Sequence, residues 1–68
     1  MSKVSLASQI AEVDRELAQR KLVYPRMVAG RGMRQGIADL QMSHLQAVRD
    51  TLAWLKENEN MIKQRLAQ

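Results

Sequence analysis

The sequence has no cysteine and no phenylalanine, and only one proline, one tryptophan, one tyrosine and three glycines in 68 residues. Each shortage excludes something. Without cysteine there is no disulfide framework and no thiolate metal site, so the staples of small secreted domains are missing. A reducing cytoplasm is the expected location. No apolar run approaches the roughly 20 residues that span a bilayer. Met1-Ser2-Lys3 leads into alternating polar and apolar residues rather than an apolar stretch, so no signal peptide is read. β-branched residues number five Val, three Ile and one Thr, a poor palette for a sheet.

What is present favours helices. Eight Leu, eight Ala, seven Gln and five Met stand among many Glu, Lys and Arg, all good helix formers. The fold class is therefore all-α, and so short a chain forms one domain over residues 1–68. Leu6, Ile10, Val13, Leu17, Tyr24 and Met27 recur at heptad-like steps, with Arg20 in the skipped position. This predicts a first helix over about 5–29, capped by Ser5 and kinked or broken at Pro25. The breakers Pro25, Gly30, Gly32 and Gly36 cluster. They place a turn at 30–33, with Gly30 as the left-handed terminator.

A second helix is predicted over about 34–66, with Leu45, Val48, Leu52, Leu55, Ile62 and Leu66 as its main stripe. The two helices form an antiparallel hairpin. Another line runs along the second helix: Leu40, Ala47, Trp54 and Met61 stand seven apart, with His44, Thr51 and Asn58 between. Two apolar stripes on one helix imply two contacts. The first is the hairpin partner. The second points to a homodimer, the two hairpins closing into a four-helix bundle, with Leu40, His44, Ala47, Trp54 and Met61 as its interface. A helical Trp at this spacing is ordinarily core, and otherwise a binding hot spot; a dimer seam makes it both.

Charge is concentrated. Arg20, Lys21, Arg26, Arg31 and Arg34 put +5 into residues 20–34, and the rest of the chain sums to −1. Such a patch suits an acidic protein surface or phosphates, although a solvated turn that keeps a small protein soluble is its plain reading. A protein partner is favoured over nucleic acid. There is no third helix for a helix-turn-helix, and Tyr24 is the one aromatic residue near the patch. The expected partner-binding set is Arg20, Lys21, Tyr24, Arg26, Arg31, Met33 and Arg34. The first helix has an acidic back of Glu12, Asp14 and Glu16, which repels anionic lipid, so no membrane partner is expected.

Catalytic signatures are missing. His44 is the only histidine and has no acidic residue at a ligand spacing. Asp39 and Asp50 stand three turns apart and read as solvated charges. Gly30-Arg31-Gly32 lacks the spacing of a phosphate loop. The chain is read as a non-enzyme with no catalytic residue, metal or cofactor. It acts as a binding protein or as a structural helical assembly module.

Val23-Tyr24-Pro25-Arg26, Met33-Arg34-Gln35, Ala38-Asp39, Ala47-Val48, Thr51-Leu52 and Trp54-Leu55 together resemble a group of short phage- and prophage-encoded proteins of proteobacteria. The likeness extends from about Val4 to Glu59. The resemblance implies context rather than chemistry: small basic phage proteins of this kind often act stoichiometrically on a host protein. Gly36-Ile37 departs from the Ala-Glu pair of that group, which removes a capping-box glutamate from the start of the second helix.

Overall fold

The computed structural model describes residues 4–67; Met1-Ser2-Lys3, on which the absence of a signal peptide was read, lie outside them. Among the described residues the chain is all-helical, with α1 (Leu6–Ala29), α2 (Gln35–Glu57) and α3 (Glu59–Leu66). No helix among the described residues is long and apolar enough to cross a membrane.

Residue Ser5 starts α1. Its backbone is extended and its hydroxyl accepts the Ser8 N–H at 3.1 Å, which satisfies one of the free amides of the first turn. The helix then runs through Pro25 unbroken. Proline removes the bond to the Lys21 carbonyl, but Lys21 is exposed and water can serve that oxygen. The helix ends in a Schellman motif: the Gly32 N–H reaches the Met27 carbonyl at 2.8 Å and the Arg31 N–H the Val28 carbonyl at 3.0 Å. The left-handed residue is Arg31, at φ 61°, whereas Gly30 sits at φ −81°. The expected terminator is thus displaced by one residue. The physical reason is that the Gly30 N–H still bonds the Arg26 carbonyl at 2.9 Å, which carries the helical bonding one position further.

The next helix, α2, begins after Arg34 with no side-chain cap, because an arginine side chain carries no acceptor for the free amides of the first turn. The single helix expected over 34–66 is divided at Asn58, whose backbone departs to φ −104°, ψ 8°. Its side-chain amide donates to the Trp54 carbonyl at 2.8 Å, beside the backbone N–H bond to the same oxygen at 3.1 Å. Asparagine competes with helical geometry in this way. Three helices, not two, are the result.

The first two helices lie antiparallel, as their cross-links require: Asp14 meets Arg49 near one end and Tyr24 meets Gln41 near the other. On α1 the half-buried and buried positions include Leu6, Ile10, Val13, Leu17, Arg20 and Tyr24. On α2 they include Ala38, Met42, Leu45, Arg49, Leu52 and Leu55. Val48, assigned to the main stripe from its spacing, is instead exposed. Arg49 takes the seam position, its stem fitting among apolar neighbours while its head reaches Asp14.

This seam is thin. Among the described residues only Leu17 and Ala38 are buried, at 7% and 3% exposure. α3 makes no contact with α1 among the described residues and extends the molecule to 55 × 19 × 19 Å. The radius of gyration is 16.0 Å, against about 11 Å for a compact domain of this length. The chain exposes 5672 Å², about 1,300 Å² more than the roughly 4,400 Å² of a folded monomer of its mass.

Candidate interaction surfaces

Two surfaces stand out, one at the turn between α1 and α2 and one along α2. At the turn, Lys21, Arg26, Arg31 and Arg34 are exposed, and among the described residues none has a carboxylate within ion-pair distance. The Schellman motif fixes the backbone from which Arg31 projects. Arg20, expected among these cations, belongs elsewhere. Its Nε donates to Glu16 Oε1 at 2.9 Å and its terminal nitrogen to the Gln41 carbonyl at 3.2 Å. The guanidinium also lies 5.6 Å from the centre of the Tyr24 ring, within cation–π range. The basic end therefore carries four free cations rather than five.

Tyr24 is likewise turned inward. Its hydroxyl donates to Gln41 Oε1 at 2.8 Å, and its ring is half-buried. It ties α1 to α2 rather than standing out as an apolar anchor. Met33 is half-buried in the turn. The exposed apolar residues nearest the turn are Leu22, Met27 and Ile37; Met27 belongs to the α1 stripe by its spacing but is exposed at the helix end. Leu22 and Ile37 fall outside both heptad stripes, and that mismatch is the signal by which they can be found. A cleft of about 240 Å³ opens between the helices, lined by Arg20, Lys21, Tyr24, Pro25, Ala38 and Asp39 among others. Asp39 accepts from Gln35 Nε2 at 2.8 Å and is the acid nearest the basic end.

The second surface is the side of α2 turned from α1. Leu40, His44, Ala47, Trp54 and Met61 are all exposed, and Trp54 stands 54% exposed. Trp54 is therefore not core in the single chain. Leu40, Ala47 and Trp54 each follow a seam residue (Ala38, Leu45, Leu52) by two positions. At about 100° per residue they lie about 200° round the helix, opposite the α1 contact. Two shallow depressions meet at Ala47. One of about 280 Å³ is lined by Ala47, Val48, Thr51 and Leu52; the other, of about 360 Å³, by Met42, Ser43, Gln46, Ala47 and Asp50.

The hydrogen bond to Asp14, then the charge of that carboxylate, pushes the Arg49 guanidinium above its ordinary range against the opposing effect of burial. A raised cationic group gives up its contribution only as pH climbs through its folded value, so Arg49 stays charged across the neutral range. Among the described residues no group of three or more His, Cys, Asp or Glu is placed to hold a metal ion. No family model matches the chain, and no curated protein or solved structure matches it either.

Proposed function

We propose that the chain is a non-enzymatic interaction protein that works in the cytoplasm by binding an acidic surface on a host or phage protein. The observation that carries this reading is the turn end, where Lys21, Arg26, Arg31 and Arg34 stand exposed without an ion-pair partner among the described residues. Cations on a fixed turn steer an acidic partner and set its orientation. Leu22, Met27 and Ile37 supply apolar area close by. Arg31 supports the reading in a second way. It holds a left-handed conformation that glycine adopts without cost, and strain of this kind gathers at functional positions.

Protein is favoured over nucleic acid because Tyr24, the aromatic residue at the turn, is half-buried and engaged with Gln41 and Arg20 rather than presented for stacking bases. The α1–α2 pair acts as the hairpin unit and α3 as its extension. Two copies associate through the uncovered side of α2, giving a four-helix dimer that displays a basic turn on each chain.

The test is affinity capture from nuclease-treated host lysate with the native chain and with a variant carrying Lys21, Arg26, Arg31 and Arg34 all changed to Glu. An acidic protein retained by the first and lost by the second, then reproduced with purified components, is the expected result. A titration with duplex DNA decides the alternative. Tight binding at about 50 mM salt that collapses by about 200 mM would overturn the protein reading in favour of phosphate contacts.

A further inference from the structure

We infer that two copies of the chain pair antiparallel through the uncovered side of α2, with Trp54 of each seated on Ala47 of the partner subunit. The inference rests on the self-association proposed above and specifies its geometry. The first argument is area. A stable interface hides about 800 Å² on each partner, and this chain exposes 5672 Å², about 1,300 Å² beyond a folded monomer of its mass. One interface of ordinary size removes most of the excess.

The second argument is shape. The stripe varies in bulk, with one small residue, Ala47, among the large Leu40, Trp54 and Met61, evenly spaced by seven. Trp54 is a projecting knob, 54% exposed, and the surface is depressed on both sides of Ala47. Reversing one copy about a two-fold axis between Asp50 and Thr51 sets Trp54 on the partner's Ala47, and Leu40 on the partner's Met61. Knob and hollow then meet twice, as the two-fold requires. A parallel pairing would set Trp54 against itself and Ala47 against itself, a collision beside a void. It would also bring both basic turns to one end, where like charges repel.

The third argument is the overhang. α3 meets only the end of α2 on its own chain and makes no contact with α1 among the described residues, and Met61 and Leu66 are exposed on it. In the antiparallel register it lies along the first turns of the partner's α2. The carbonyl end of α3 then comes beside the amide end of that helix, which has no side-chain cap, an arrangement that opposes the two helix dipoles favourably. Because the stripe lies about 200° from the α1 contact, the dimer is four helices in a row, with the two α2 helices central, rather than a bundle round one shared core.

Sedimentation equilibrium with a size-swap cycle tests this. The native chain is expected to be dimeric at about 100 μM, and Trp54→Ala and Ala47→Trp each to weaken the dimer about tenfold or more. The double variant, A47W together with W54A, restores the large-on-small fit and recovers most of the loss. Both positions face away from α1, so helicity by circular dichroism stays at the native value in all three. Cysteine cross-linking reads the sense of pairing on a chain with no native thiol: Thr51→Cys is expected to oxidise to a covalent dimer and Leu40→Cys is not. A native chain that stays monomeric overturns the self-association as well as its geometry. A dimer with no recovery in the double variant overturns the Trp54–Ala47 seat alone, and self-cross-linking of Leu40→Cys overturns the antiparallel sense.

Discussion

The two sides of α2 carry similar amounts of apolar material and have opposite fates. The side toward α1 holds Ala38, Met42, Leu45 and Leu52, with Arg49 among them, and is covered. The other side holds Leu40, Ala47 and Trp54, the only tryptophan, and is bare. Bulk does not decide which face is buried within the chain. What decides is which face the turn brings opposite α1, and the small Ala38, at 3% exposure, lets the two backbones approach where the connection is shortest. The larger residues Leu40 and Trp54 are left uncovered in the single chain.

If that division is right, the covered side is fragile at every concentration. Among the described residues Leu17 is the one large side chain buried in the seam. Leu17→Ala should cost about 2–5 kcal/mol, enough to unfold so small a domain. Urea denaturation followed by circular dichroism would read the loss, and an unchanged midpoint would break the comparison outright.

The bare side should behave differently. Trp54→Ala removes only stability linked to association, which amounts to about 2.7 kcal/mol at a protein concentration about 100 times the dimer Kd and vanishes well below it. Melting curves over a dilution series are the measurement. The native midpoint is expected to rise with concentration and that of the variant to stay flat. A loss that persists at high dilution would place Trp54 in the stability of the single chain instead.

Much of the covered side was legible in the sequence and much of the rest was not, for reasons that differ by residue. The α1 stripe from Leu6 to Leu17 follows from local periodicity, and Ser5 from its place before it. The α2 seam is legible at Ala38, Leu45, Leu52 and Leu55 and is missed at Arg49, which looks polar; its seam position depends on Asp14, 35 residues away, and no local pattern contains that partner. Arg20 was counted as a free cation because the charged segment was cut at residue 20, which separates it from Glu16 at the i, i+4 spacing of a helical ion pair. The free cations Lys21, Arg26, Arg31 and Arg34 were visible, since nothing acidic lies within reach along the chain. The left-handed residue was misplaced because glycine on both sides of Arg31 offers the rule two candidates, and the hydrogen bonds select neither.

Arg31 gives a way to strengthen one side without touching the other. Arg31→Gly relieves a positive φ and should stabilise the α1–α2 pair by about 1 kcal/mol. The dimer Kd should not move, because the turn lies outside the Trp54 face, while partner capture falls with the loss of one cation. Chemical denaturation and sedimentation on the same sample separate these effects. A shift in both would mean that the two sides of α2 are coupled through the turn.

The smallest effect concerns the place where the cover of α1 ends. Asn58 interrupts the helix with a side-chain bond to the Trp54 carbonyl, an oxygen that already accepts the Asn58 N–H. Removing the side chain therefore leaves no acceptor unsatisfied, and Asn58→Ala should gain about 0.5 kcal/mol from helix propensity and join α2 to α3. The gain in stability is slight, but the change in direction is not. A regular helix advances by about 100° per residue, so smoothing Asn58 alters where Met61 falls relative to Leu40, Ala47 and Trp54. If the interruption exists to hold Met61 in line with them, the variant is more helical by circular dichroism and yet dimerises less well. If dimerisation improves along with helicity, the bare side of α2 ends at Trp54 and α3 takes no part in it.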